Sequence, residues 1–483
     1  MKIATYKLTN LGAGNHILRA KATDGTLVSA FSNVISYSRV AVHTAVSNCS
    51  ANAPTAVSIG KSLTASFLTH GGDYANYTFA TGTILVKMDD GTGTLQDITS
   101  TAWSYGTGSD GREIGIVQIE NVTGTVYISV TAGEEAVANY ILFEGETSDF
   151  TLKATNKTWK GTVEYSTDKN TWSTWDGSEI SSANKKLYLR GKNNTTFYSK
   201  KGAQFVLSAK AGCYGNINRL LDYENPPTTI AKSYCYSSMF QGCTSLTAAP
   251  ALPATTLAAS CYSSMFYGCT SLTAVPELPA TTLASSCYKS MFQGCTSLTE
   301  APALPATTLE TGCYMRMFQG CTSLTAAPEL PATTLADSCY QSMFQGCTSL
   351  TAAPALPVTT LASSCYMGMF YGCTSLTEAP TLPATTLVGS CYESMFQGCT
   401  SLTTAPELPA TKLASNCYQS MFSGCTSLKI SSTQTGEYTI AWRIPSTGKI
   451  KSTATQWNVN MLTNTGGTFK GNPSINTTYY IAG

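Results

Sequence analysis

Charge is the scarcest commodity in this chain: only 12% of its 483 residues are Asp, Glu, Lys or Arg. With Lys+Arg 29 against Asp+Glu 28 the net charge is +1, so there is no basic field to hold nucleic acid or an anionic lipid surface. Histidine is almost missing. The three present, His16, His43 and His70, all lie far from the cysteine-rich second half, and no C-x-x-C occurs, which argues against a zinc site. No stretch approaches the ~20 apolar residues of a membrane helix, the best run from Ala136 to Phe143 being broken by Asn139. The first ten residues lack the apolar core of a secretory signal.

Catalytic motifs are equally thin. Gly106-Thr-Gly108-Ser-Asp-Gly111 has dinucleotide-loop spacing, but a strand pattern follows it where a helix N-terminus is required, so it is expected to be a turn. Gly60-Lys61-Ser62 resembles a P-loop ending, yet its first glycine is replaced by Thr55. Asp89-Asp90-Gly91 lacks EF-hand ligand spacing. No G-x-S-x-G appears. The expectation is a non-enzymatic protein with no catalytic, cofactor or metal residues.

What the chain has instead is a repeat. From Cys235 the pattern C-Y-x-x-M-F-x-G-C-T-S-L-T-x-A-P-x-L-P-A-T-T-L-A-x-S returns every 26 residues, at Cys261, Cys287, Cys313, Cys339, Cys365, Cys391 and Cys417, eight copies in all. Leu257, Cys261, Tyr262, Met265 and Phe266 fall at spacings that predict a short helix, with Thr256 or Ser260 as N-cap and Gly268 at its end. Thr-Ser-Leu-Thr predicts a strand of about three residues, and the two prolines beyond it an extended path of period three. One copy cannot bury its own Leu, Met and Phe, so stacked neighbours must make the core. At ~4.8 Å per coil, eight copies give a rod on the order of 40 Å.

Period three places positions 274 and 277 on the same side, and there the copies differ. Glu300, Glu378 and Thr404 replace Ala at the first position, while Glu277, Glu329, Thr381 and Glu407 replace it at the second. Tyr267 and Tyr371 stand where most copies have Gln, and the same side varies further at Lys289, Met315, Arg316, Gln341, Met367 and Glu393. These nine Glu, Thr and Tyr residues form the candidate binding face, unless the variation is drift on a solvated surface.

The run Met265-Phe266-Tyr-Gly268-Cys269-Thr270-Ser271-Leu272-Thr273 resembles the BspA-like, or Treponema pallidum-type, leucine-rich repeat, over about residues 235 to 430. The 26-residue unit, second Cys and double proline depart from the usual repeat. The resemblance implies a leucine-rich-type solenoid of short strands and short helices, and a surface or secreted protein that adheres to host proteins or other cells.

Sixteen of the eighteen cysteines lie in the repeats, leaving Cys49 and Cys213. An even count allows a disulfide framework. On a helix, however, Cys261 and Cys269 would stand roughly 10 to 12 Å apart, too far for the ~7 Å limit of a bridge. Ladders of buried, reduced thiols are the expected alternative.

Upstream, residues 1–38 alternate as strands and resemble the last three strands of a fibronectin type III or immunoglobulin-like domain whose beginning is missing, which would make the chain a fragment and account for the absent signal. Residues 39–133 read as an immunoglobulin-like β-sandwich, and 134–212 as a small β-rich domain with Trp159, Trp172 and Trp175, expected mainly in its core. Residues 213–430 hold the solenoid with a cap helix over 217–223, and 431–483 form a C-terminal cap. The fold class is thus multidomain, N-terminal β-sandwich modules followed by a solenoid. The expected function is adhesion at a cell surface or virion, to a host or cell-surface protein or glycan. A phage tail or virion fibre and a passive spacer are the alternatives.

Overall fold

The computed structural model describes residues 14–19, 34–47, 50–53, 56–58, 61–68, 77–89, 95–107, 113–123, 125–134, 139–197, 204–450 and 454–483. The chain forms two compact units, residues 1–138 and 139–483.

In the first unit, period-two alternation makes two sheets. Strand Leu63–Leu68 turns Leu63, Ala65 and Phe67 inward and lies between Ser50–Asn52 and Glu113–Ile119, with Trp103–Thr107 beyond. The other sheet runs through Gly14–Arg19, Val34–Ser47, Val126–Glu134, Tyr77–Asp89 and Leu95–Asp97. Its Val34–Ser47 and Val126–Glu134 pair in parallel, Val42 opposite Val126. Inward residues of both sheets share one apolar cluster, including Phe67, Val86, Val117 and Ile128. The loop with dinucleotide-like spacing joins the antiparallel pair Trp103–Thr107 and Glu113–Ile119, its residues 108–112 lying outside the described ones. Cys49 lies outside them too.

The second unit begins as β-structure and continues as coils. A five-stranded sheet orders Ser173–Thr174, Thr162–Ser166, Lys186–Lys192, Ile141–Gly145 and Ala211–Tyr214, and a three-stranded one orders Ile180–Ser181, Thr151–Ala154 and Phe205–Leu207. Trp159 and Trp175 stack at 5.2 Å inside, while Trp172 is only half-buried. Phe197 then stacks on Tyr236 of the first repeat at 6.0 Å, so one apolar core runs from Ile141 to Ile481. The expected cap helix is a single buried 3-10 turn, Ile217–Leu220, whose Asn216 side chain accepts the Asn218 N–H.

The short helices expected in the repeats are absent: residues 235–428 contain no helix, only turns and isolated bridges. The reason lies in the period. The apolar pairs Cys261-Tyr262 and Met265-Phe266, followed by Cys269, recur every four residues, and on an α-helix such pairs drift about 40° per step. A chain of four-residue turns keeps them aligned. Each turn is closed by a residue with positive φ: Ser260 at 54°, Ser264 at 55° and Gly268 at 71°, and likewise at the equivalent sites of every copy. Tyr262, Ser264, Phe266 and Gly268 donate their N–H groups to Cys287, Lys289, Met291 and Gln293 of the next coil at 2.7–3.0 Å. The residues between them, such as Ser263, Met265 and Tyr267, donate three residues back. No buried backbone donor there needs a helix.

Stacking aligns the side chains in ladders. Tyr236 to Tyr418 stack ring on ring at 5.8–6.0 Å, and Phe240 to Phe422 at 5.5–5.8 Å. These separations suit offset aromatic stacking and exceed the ~4.8 Å of a strand ladder, so the rod estimate based on strand spacing falls short along the rings. The expected three-residue strands shrink to single parallel bridges, such as Ala248 with Ala274 and Ala326 with Ala352, because Pro276 and Pro279 and their equivalents have no N–H to extend a ladder.

A ninth set of turns closes the solenoid. Tyr418, Ser420, Phe422 and Gly424 donate to Trp457, Val459, Met461 and Thr463, with Gln456, Asn460 and Asn464 taking the positive-φ places. Met461 follows Met421 by 40 residues instead of 26, so the period hides it. The cap adds a three-stranded sheet, Ile430–Ser431, Thr478–Ala482 and Tyr438–Arg443. Its Trp442 packs on Phe422 at 6.4 Å and donates its indole N–H to Pro406.

Candidate functional site

The buried half of each coil is chemically quiet. All seventeen cysteines among the described residues are free and buried. Each thiol of the second ladder, from Cys269 to Cys425, donates to the Phe carbonyl of the preceding coil at 3.0–3.1 Å. Burial pushes the Cys287, Cys321 and Cys373 thiols up to about 12, so the thiolate needed for exchange or metal capture is withheld near neutrality. Burial likewise raises the Tyr236 and Tyr262 phenols. Among the described residues no group of three or more His, Cys, Asp or Glu could hold a metal ion, and no helix is long and apolar enough to cross a membrane.

Chemistry that can meet a partner lies on two outer strips. On the proline segment, Glu277, Glu300, Glu329, Glu378, Thr381, Thr404 and Glu407 are all exposed. They do not converge on a cleft. They are distributed coil by coil, with Leu278 and its equivalents buried beneath them. Position 274 is not uniformly open, since Ala248 in the first coil is buried. On the turn side, period four places 259, 263 and 267 in neighbouring columns. Tyr267 and Tyr371 are each 38% exposed, four coils apart, with glutamines between them; the Gln319 amide donates to Gln345 at 2.9 Å. Arg316, exposed and itself at a positive-φ site, adds a cation between the two tyrosines.

A second constellation escaped the reading of the sequence. The Arg190 guanidinium lies 4.0 Å from the Trp172 ring and 4.4 Å from the Tyr223 ring, and its Nε donates to Glu164 at 2.7 Å. Alternation in Lys186–Lys192 could have suggested that Arg190 faces outward. Nothing local pairs it with Tyr223, more than thirty residues on.

The family described as BspA type Leucine rich repeat region matches residues 227–351 and 337–475, in six copies. These segments together span just over half of the chain, and the second reaches through the ninth set of turns. No curated protein and no solved structure matches the chain. The turn-built coils and their family match agree on one assignment: this chain belongs to the BspA-type leucine-rich repeat family.

Proposed function

We propose that the chain is a non-enzymatic surface adhesin whose solenoid presents its varying columns to a host or cell-surface protein or glycan. The observation that carries this reading is the contrast within the repeat. Buried positions such as Tyr262, Met265 and Phe266 are the same in all eight copies, whereas exposed columns change character, Ala to Glu or Thr on one strip and Gln to Tyr on the other. Exposed tyrosines are efficient anchors for a protein partner. The family is typically surface-associated and non-enzymatic, which supports the same reading. The two-sheet arrangement of residues 1–138 supports an immunoglobulin-like stalk.

The repeat supplies its own benign substitutions for the test. Ala occupies the 277 column in Ala251, Ala303 and Ala355, and Gln the 267 column in Gln293, Gln319 and Gln345, so Glu277→Ala, Glu329→Ala and Glu407→Ala, or Tyr267→Gln with Tyr371→Gln, leave the coil intact. The full chain and both sets are assayed against immobilised extracellular matrix proteins, glycans and whole bacterial cells. The expected result is saturable binding that at least one set weakens tenfold or more, with an unchanged melting temperature. Binding confined to bacterial cells would favour a phage fibre, and no binding at all a passive spacer.

A further inference from the structure

Two aromatic ladders run through the solenoid, and they differ by one hydroxyl per ring. Every copy carries Phe in the column from Phe240 to Phe422 and Tyr in the column from Tyr236 to Tyr418. The tyrosines are buried as deeply as the phenylalanines, each no more than 1% exposed. A buried hydroxyl without a partner costs stability that a phenyl ring in its place would not. The protein satisfies the first rung: the Tyr236 hydroxyl lies 3.0 Å from Asn218 Oδ1 and 3.3 Å from the Ile217 carbonyl. The Tyr262 hydroxyl is enclosed and has no protein partner, and no later phenol of the column bonds to a protein group.

The rings of successive coils are near-parallel, 2–11° apart, with centroids 5.8–6.0 Å apart. A phenol oxygen is fixed rigidly to its ring, so neighbouring oxygens repeat at about the same interval. That is too far for one phenol to bond the next. It is close to twice the reach of one O–H···O bond, about 2.5–3.0 Å. A point midway between successive oxygens lies about 2.9–3.0 Å from both.

From this spacing we infer that the tyrosine column binds a file of ordered water, one molecule between each pair of successive phenols from Tyr236 to Tyr418. The hydrogens balance. A phenol gives one and accepts two, and a water gives two and accepts two. Along the file each phenol donates to the water on one side and accepts from the water on the other, which leaves one hydrogen per water. A column of carbonyls stands ready for it. The bridge between Asn216 and Ala251 puts Ile217 in register with Leu252, and the carbonyls that follow Ile217 in later coils, from Leu252 to Leu382, accept no backbone N–H. Each water then has three polar partners, the usual complement of a buried water. At the two ends the protein itself takes over. Ile217 and Asn218 meet the Tyr236 hydroxyl, and the Ser446 N–H occupies the Leu408 carbonyl at 2.9 Å. Bonds linked in one line also polarise one another. This inference is independent of the solenoid surface.

The direct test is a crystal structure of the full chain at a resolution that shows ordered solvent. The expected map has one water between successive phenols, within hydrogen-bond reach of both. Phenols bonded straight to protein carbonyls, or no density between them, would overturn the inference. In solution, oxygen-17 relaxation dispersion counts long-lived waters in the parent and in a chain with Tyr314→Phe and Tyr340→Phe. Those rings border three intervals of the column, and Phe already fills the parallel ladder, so the substitutions keep the stack. The expected result is a loss of dispersion amplitude together with a lower melting temperature, because each Phe leaves two waters short of a partner. Unchanged amplitude would contradict the file. So would a melting temperature equal to or above the parent's, since an unpaired buried hydroxyl is better removed.

Discussion

In the second coil, residues 260–269 engage ten backbone N–H groups, five with the next coil and five within the turns, whereas residues 274–280 contain two prolines and their backbone pairs with a neighbouring coil at one isolated bridge, Ala248 with Ala274. The same coil is therefore a frame on one side and a display on the other. Donors explain the division. A position that must give its N–H to a neighbour is held in one conformation with its side chain in a ladder, while a segment whose prolines lack the donor can vary outward as long as its leucines remain inward.

The largest test of this contrast is alkaline pH, because both thiol ladders and the tyrosine ladder belong to the turn side. Their folded pKa values lie above the unfolded ones, Cys287 at about 12 against 9.0, so their contribution is complete below the unfolded pKa and lost as pH rises through the folded one. Circular dichroism should show cooperative loss of the solenoid between about pH 9 and 12; a fold indifferent to that range would contradict the buried ladders. Next in size, Phe318→Ala in a central coil should cost about 3–5 kcal/mol in urea denaturation, and Leu330→Ala on the proline segment about 2–3, since Leu330 retains 8% exposure where Phe318 has none. Equal costs would break the comparison.

Backbone substitutions sharpen it further. Gly320 sits at φ 73°, where a β-branched residue is strained, so Gly320→Val should cost roughly 1–3 kcal/mol. Pro331→Ala, at an exposed position of the same segment, should cost only about 0.4–1 kcal/mol, through the unfolded chain. Smallest of all, Glu329→Ala should change stability by no more than about 0.5 kcal/mol, because Glu329 is exposed and Ala already occupies its column.

The repeat, its family and the exposure of the candidate Glu, Thr and Tyr residues were legible in the sequence because each depends on identity at a fixed period. The turn conformation was not. Cys261, Tyr262, Met265 and Phe266 fit a helical stripe over two turns, and only the strict period of four, with Ser or Gly at 260, 264 and 268, separates a turn stack from a helix. The ninth coil was hidden by a shift in spacing before Trp457, although Met461 and the asparagines at 460 and 464 keep the frame's requirements, Asn being one of the few residues at ease with positive φ. The Trp172, Arg190 and Tyr223 cluster depends on a chain crossing at Gly191, where the Tyr223 N–H meets the Gly191 carbonyl, and no local pattern announces it.

Amide hydrogen exchange, resolved by peptide along the solenoid, tests the division of each coil most directly. The account predicts slow exchange for residues 260–269 and their equivalents in the central coils, and fast exchange for 274–280 and theirs. Equal protection on both sides, or faster exchange on the turn side, would contradict it.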